Sequence, residues 1–183
     1  MKIEGLNIHP LKSGRAVPVE SATVRLDGFA GDRRFMIVEP DGRFITQREL
    51  QLLARVEATA VGDSLHLEME GRQLLASFEP DDRLEVFIWD TPVDAAVADE
   101  AVNDVLSDWF GRPVRLVHMD AQASRAEGEE WAGNPAPVGF ADGFPVLVTT
   151  TGSLADLNRT LVAKGQEPVG MDRFRTNILV SCD

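Results

Sequence analysis

Phe35-Met36-Ile37-Val38-Glu39-Pro40-Asp41-Gly42-Arg43-Phe44-Ile45 decides the fold class. Two runs of aromatic and β-branched residues flank Pro40-Asp41-Gly42. Asp-Gly supplies the backbone that a tight turn needs, so the stretch predicts a hairpin. The same grammar recurs on both sides of it. Ala22-Thr23-Val24-Arg25-Leu26 reads as a strand before it. Ser64–Met69 and Arg72–Ala76 flank Glu70-Gly71 as a second hairpin, with Leu65, Leu67 and Met69 on one face. Leu84–Trp89 continues the series. Several short strands at this spacing predict a mainly β chain of β-barrel or sandwich type.

The period then changes. Val97, Ala101, Val102, Val105, Leu106, Trp109 and Phe110 form one apolar stripe at helical spacing, which predicts a helix near 96–110. Gly111 and Pro113 end it. Val114–His118 reads as a strand, residues 120–137 as a surface loop, and Phe144–Thr150 as a buried strand. A helix is expected from Ser153, where Ser153-Leu154-Ala155-Asp156 is similar to a capping box and Leu154, Leu157 and Leu161 line the inner side. Asn177–Ser181 is a last, core-type strand close to the end of the sequence, and the expectation is a chain truncated from something longer.

Charge narrows the function. The 183 residues carry a formal charge of -12, but residues 1–55 hold 9 Lys and Arg against 7 acids, and residues 56–135 hold 5 against 18. Duplex nucleic acid requires a continuous basic face, which the acidic middle opposes, so neither nucleic acid nor an anionic membrane is an expected partner. The N-terminus carries no apolar signal region, and the chain reads as cytoplasmic. One cysteine, Cys182, and three scattered histidines exclude an internal disulfide and a thiolate- or histidine-rich zinc site, so no metal ligand is assigned.

Three basic clusters stand out. His9-Pro10-Leu11-Lys12-Ser13-Gly14-Arg15 sets an ammonium, a hydroxyl and a flexible amide in a row, which suits an oxyanion and equally suits a surface loop. Gly31-Asp32-Arg33-Arg34-Phe35 opens a strand. Alternation there points the two arginines to opposite faces, with Asp32 as the partner of whichever turns inward. Asp172–Asn177 places Arg173 and Arg175 on one side of a strand end, either to grip an anion or as solvated charge. His9 and His118 read as structural. From the residues alone the conclusion is an anion-binding, β-rich domain.

The clusters and their order carry a resemblance. Pro10–Gly14, Leu26–Val38 and Asp41–Arg48 resemble the N-terminal β-barrel domain of MOSC proteins. Asp108–Gly111 with Val114–His118 is similar to the junction that follows it. Phe140–Pro145, Ser153–Asn158 and Arg173–Asn177 resemble the first half of the MOSC domain itself. The resemblance implies an N-terminal barrel over 1–118 and an incomplete MOSC domain over 119–183. It implies a molybdenum-cofactor (molybdopterin) protein whose parent reduces N-hydroxylated compounds, with electrons from a separate donor protein. The alternative is a non-enzymatic cofactor or sulfur carrier, or a phosphate-ligand module, and pyridoxal phosphate is a family-level ligand. By resemblance Lys12, Ser13 and Arg34 contact the cofactor, Arg175 and Asn177 hold it from the second part, and Asp142 and Ser153 line the same pocket. The family's reducing members ligate molybdenum through a cysteine later in sequence than this chain reaches. Cys182 is not assigned that role, no catalytic residue is named, and the chain alone is expected to be inactive.

Overall fold

The computed structural model describes residues 1–127 and 133–181; Cys182 lies outside the described residues. In chain order the strands are β1 (Lys2–Ile8), β2 (Val17–Val19), β3 (Val24–Arg25), β4 (Gly28–Phe29), β5 (Phe35–Val38), β6 (Glu57–Val61), β7 (Ser64–Met69), β8 (Arg72–Ala76), β9 (Phe78–Ile88) and β10 (Thr91–Ala98). Helix α1 (Glu100–Phe110), β11 (Arg115–His118), β12 (Ala126–Glu127), β13 (Ala136–Pro137), β14 (Val148–Thr150), helix α2 (Thr151–Ala163) and β15 (Ile178–Ser181) follow. Strands dominate, as the alternation predicts. Among the described residues no sheet closes on itself: two four-stranded sheets, one three-stranded sheet and two short ribbons share the work.

The sheet ordered β5-β11-β10-β9 is the centre. Phe35, Ile37 and Leu116 project into one apolar cluster, shared with Leu65, Leu67, Met69 of the β6-β7-β8 hairpin sheet and with Leu106 and Trp109 of α1. Met36, Val38 and Val117 project into a second cluster with Val86, Ile88, Val93 and Phe140. Burial on both faces explains why β5 is an unbroken apolar run rather than an alternating one. The Pro40-Asp41-Gly42 turn forms as predicted, with Glu39 N–H donating to Arg43 O at 2.8 Å and Ile45 N–H to Ile37 O at 3.1 Å.

Several expectations shift. The stretch from Val97 to Ala98 belongs to β10, which pairs with β9 and through Val97–Val117 with β11, so α1 begins at Glu100. Gly111, in the left-handed conformation, closes that helix. The strand β10 itself, Thr-Pro-Val-Asp-Ala-Ala-Val-Ala, escapes a propensity reading because alanine and proline are weak strand formers. Only Val148–Thr150 of the predicted 144–150 strand is extended and paired, and Phe144 is half exposed. The cap of α2 is Thr150, whose Oγ1 accepts from Ser153 N–H at 2.9 Å, three residues before the expected cap. No residue of α2 is fully buried, and Leu157 is exposed. Residues 120–137 are not merely surface loop: β12 and β13 pair there, and Arg125 is buried. Met171–Phe174 is a 3₁₀ turn with Arg175 in the left-handed conformation after it, so strand alternation does not orient Arg173 and Arg175.

One connection positions everything that follows. β1 lies between β2 and β15 in the sheet β14-β15-β1-β2, with Leu6 opposite Ile178. The segment leaving β1 therefore sits beside the segment entering β15. No helix among the described residues is long and apolar enough to cross a membrane.

Candidate functional site

The segment after β1 turns sharply. Leu11 is buried in the core beside Phe35, Lys12 N–H donates to Phe35 O at 2.7 Å, and Gly14 N–H to Leu11 O at 2.9 Å. A Cβ at Gly14 would stand 2.9 Å from Leu11 Cβ, closer than such atoms approach, so the turn is reserved for glycine. The turn aims Lys12 inward. Its Nζ donates to Phe140 O at 2.8 Å and to Asp142 Oδ1 at 2.6 Å, and it lies 5.2 Å from the centroid of Phe44. Burial pulls the Lys12 ammonium below its ordinary pKa, against the opposing pull of Asp142.

Asn177 is the hub behind this loop. Its Oδ1 accepts from Leu147 N–H at 3.1 Å and Arg33 Nη1 at 3.0 Å, and its Nδ2 donates to Asn7 O at 3.2 Å and Asp32 Oδ1 at 3.0 Å. All four bonding positions of the buried amide are used. Asp32 also accepts from His9 N–H at 2.7 Å and pairs with Arg33. Arg33 Nη2 donates to Arg175 O at 2.9 Å, while the Arg175 guanidinium reaches back to Gly14 O. Burial, then the neighbouring Arg33 charge, lowers Arg175 to about 10. His9 is 1% exposed, and among the described residues neither ring nitrogen has a hydrogen-bond partner. Burial first, then Arg175 and Arg33, depresses its pKa to about 3; the backbone of Thr176 and Arg175 nearby is too weak a counterweight. The ring is therefore neutral.

These groups wall a cleft of about 580 Å³. Among the described residues Lys12, Arg33, Arg48, Arg173 and Arg175 line it against a single carboxylate, Asp142, in a chain whose net charge is -12. Trp89, Phe144 and Phe174 supply apolar wall, and all three rings are partly open to solvent. Five non-glycine residues among those described have positive φ, and four of them, Ser13, Arg33, Trp89 and Arg175, line this cleft. Backbone held in sparsely populated conformations concentrates where a site is preorganised. Converging donors in a half-enclosed space suit a compact, flat anion. Among the described residues no group of three His, Cys, Asp or Glu side chains is placed to hold a metal ion.

Of the residues singled out from sequence, Lys12, Ser13, Asp142, Arg175 and Asn177 come together here. Arg34 does not: it pairs with Asp27 at 3.0 Å and donates to the carbonyls of Met119 and Asp120. Ser153 sits at the exposed start of α2, bonded to Thr150. Arg33 takes the place expected of Arg34, because the strand begins only at Phe35 and Arg33 occupies a left-handed turn. Arg48 and Trp89 line the cleft although the sequence assigns neither of them to the site. Arg125 was hidden in an apparently irregular stretch; its Nη1 donates to Gly139 O at 3.1 Å and Ala141 O at 2.7 Å and so shapes the wall that carries Asp142.

Comparison with known proteins adds the family. The family described as MOSC N-terminal beta barrel domain matches residues 1–113. Mitochondrial amidoxime-reducing component 1 of Danio rerio is 32% identical over 190 residues, covering 96% of this chain and 57% of that protein. The protein of the same name from Homo sapiens is 28% identical, covering 96% and 55%. Molybdenum cofactor sulfurase of Oryza sativa subsp. japonica is 22% identical, covering 98% of this chain and 24% of that protein. The chain spans about half the length of the amidoxime-reducing relatives it matches.

Proposed function

This chain belongs to the family of the MOSC N-terminal β-barrel domain, and from that premise we propose that its cleft binds the molybdenum cofactor within a protein that reduces N-hydroxylated compounds. The observation that carries the proposal is the charge of the cleft: five cations and one carboxylate, gathered from both ends of an acidic chain. The residues present fit the group. A pterin phosphate needs converging cationic donors, which Lys12, Arg33 and Arg175 offer, with the Ser13 hydroxyl beside them. A flat heterocycle needs apolar wall, which Trp89 and Phe174 offer.

In this reading residues 1–118 contribute Lys12, Ser13, Arg33 and Arg48, and residues 119–183 contribute Asp142, Arg173, Arg175 and Asn177. Asn177 orients Arg33 without being a ligand, since its four bonds are already taken. Arg34 and Ser153 act in the fold, not on the ligand. His9, neutral and buried, lets Arg33 and Arg175 approach each other without adding a third charge. The bound cofactor supplies two-electron redox chemistry, while the protein supplies binding, orientation and electrostatics. A separate electron-donor protein is the partner this chemistry requires.

The sulfurase relative supports a second reading, in which the cleft holds the cofactor without reducing a substrate. The test is direct. The protein is purified from a host that makes the cofactor, and released pterin is measured by fluorescence alongside molybdenum content. The expected result is pterin in the wild type and about tenfold less in Lys12→Met and Arg33→Met, the loss of one charge-assisted contact. Equal pterin in all three proteins contradicts the assignment. An absorbance of bound pyridoxal phosphate instead identifies the competing ligand. Reduction of benzamidoxime by the loaded protein, given electrons, separates the reductase from the carrier.

A further inference from the structure

We infer that the rim of the cleft carries a second oxyanion subsite, formed by Arg48 and Arg173, and that the ligand is a diphosphate whose outer phosphate sits there; the inference rests on the reading that Lys12, Arg33 and Arg175 hold the inner phosphate. The five cations of the cleft divide into two kinds. Lys12 Nζ donates to Phe140 O at 2.8 Å and Asp142 Oδ1 at 2.6 Å. Arg33 donates to Asp32, to Asn177 Oδ1 at 3.0 Å and to Arg175 O at 2.9 Å, and Arg175 donates to Gly14 O. The protein itself holds these three in place. Arg48 and Arg173 line the same cleft, but both are exposed, and neither guanidinium has a hydrogen-bond or ion-pair partner among the described residues. Exposed arginines elsewhere in this acidic chain do find carboxylates: Arg15 pairs with Glu57, Arg55 with Glu70 and Arg159 with Asp156.

Both rim arginines stand on fixed backbone. Leu50 N–H donates to Thr46 O at 2.9 Å, closing the turn that carries Arg48, and Gln47 Nε2 ties that turn to Ser13 O at 2.7 Å. Arg173 lies in the 3₁₀ turn Met171–Phe174, which leads directly into Arg175. Nearby acids are turned elsewhere. Glu49, the neighbour of Arg48, is bound to Arg43 at 2.7 Å, and Asp172, the neighbour of Arg173, does not line the cleft. Two unengaged guanidiniums beside three engaged cations suit an anion with two groups, since each planar fork matches a phosphate face. Two separate phosphates in one cleft of about 580 Å³ would repel each other. The bridging oxygen of a diphosphate joins them and makes the second contact intramolecular. The phosphate held by Lys12, Arg33 and Arg175 is then the inner half of a diphosphate.

Calorimetric titration of the purified chain with inorganic phosphate, inorganic pyrophosphate, AMP and ADP tests this. The wild type should bind pyrophosphate about tenfold or more tightly than phosphate. The same preference for ADP over AMP identifies a diphosphate ester as the ligand, and its absence identifies free pyrophosphate. Arg48→Met and Arg173→Met should each lose most of the preference for the diphosphate while still binding phosphate, which also shows that they fold. Lys12→Met should weaken phosphate and pyrophosphate together, so that the preference survives. Equal affinity for phosphate and pyrophosphate in the wild type, a preference that persists in both arginine variants, or an equal loss of both anions in them overturns the inference. A wild type that binds pyrophosphate through Arg48 and Arg173 but does not bind phosphate, and is indifferent to Lys12→Met, instead overturns the anion reading of the inner cleft and leaves the rim subsite standing.

Discussion

Acid should destabilise this protein through His9 before its carboxylates begin to protonate. In the unfolded chain a histidine has a pKa near 6.5, whereas the buried ring of His9 is depressed to about 3. The folded state therefore binds fewer protons than the unfolded state between those values. Its stability is fully present above pH 6.5 and is lost as pH falls toward 3. At pH 4.5 the unfolded histidine is nearly all charged and the folded one is neutral. Two pH units at ~1.4 kcal/mol each amount to a loss of about 3 kcal/mol relative to pH 7.5. Asp142 and Asp120, both held below the ordinary carboxylate range, act with the same sign but lower on the pH scale. His9→Phe keeps an aromatic ring and removes the titration, so the comparison isolates one group. Urea denaturation followed by circular dichroism at half-unit pH steps provides the assay. The wild type should lose stability from pH 6.5 to 4.5, and His9→Phe should lose less, keeping only the slope of His118, whose pKa burial also lowers. An equal slope in both proteins would refute the claim that His9 is a buried neutral ring between Arg33 and Arg175.

Other perturbations have distinct expected outcomes. Asn177→Ala leaves Leu147 N–H, Asn7 O and the Asp32–Arg33 pair without a common partner, and should cost about 3 kcal/mol, or roughly a 10 °C fall in Tm; a change under a degree or two would mean the amide is not a hub. Leu106→Ala opens a void in the cluster that joins α1 to the hairpin sheet, and should cost about 2–5 kcal/mol in chemical denaturation without altering phosphate affinity. Arg34→Met should leave phosphate binding unchanged while Arg33→Met weakens it about tenfold, because only Arg33 lines the cleft; the reverse order in calorimetry would return the role to Arg34.

Local chemistry made much of the fold readable. Glu70-Gly71 and Pro40-Asp41-Gly42 mark their turns with residues that few other structures want, and the stripe from Val102 to Phe110 has one period. What stayed hidden depends on partners distant in sequence. The β10 strand is alanine-rich and becomes a strand because β9 and β11 pair with it on either side. The cap of α2 moved to Thr150 because Ser153 and Thr150 are both competent caps and tertiary placement of β14 chose between them. The site divides the same way. Lys12 and Arg175 advertise themselves by lying beside Ser, Gly and Asn in an acidic chain. Arg33 and Arg34 are indistinguishable by spacing, and only the left-handed turn at Arg33 sends one inward and leaves the other with Asp27. Arg48, Trp89 and Arg125 carry no local sign, since they reach the cleft or its wall only when the β9–β10 turn and the loops after β5 and β11 come together.

We propose the cleft of Lys12, Arg33 and Arg175 as an anion site matched to a phosphate-bearing pterin. The most direct measurement is the pterin recovered, per mole of protein, from wild type and Lys12→Met purified side by side from a host that makes the cofactor. Bound pterin is expected in the wild type and about tenfold less in the variant, with both proteins equally folded by circular dichroism. Wild-type protein without pterin, or a variant that retains it in full, contradicts the assignment of the cleft to the cofactor.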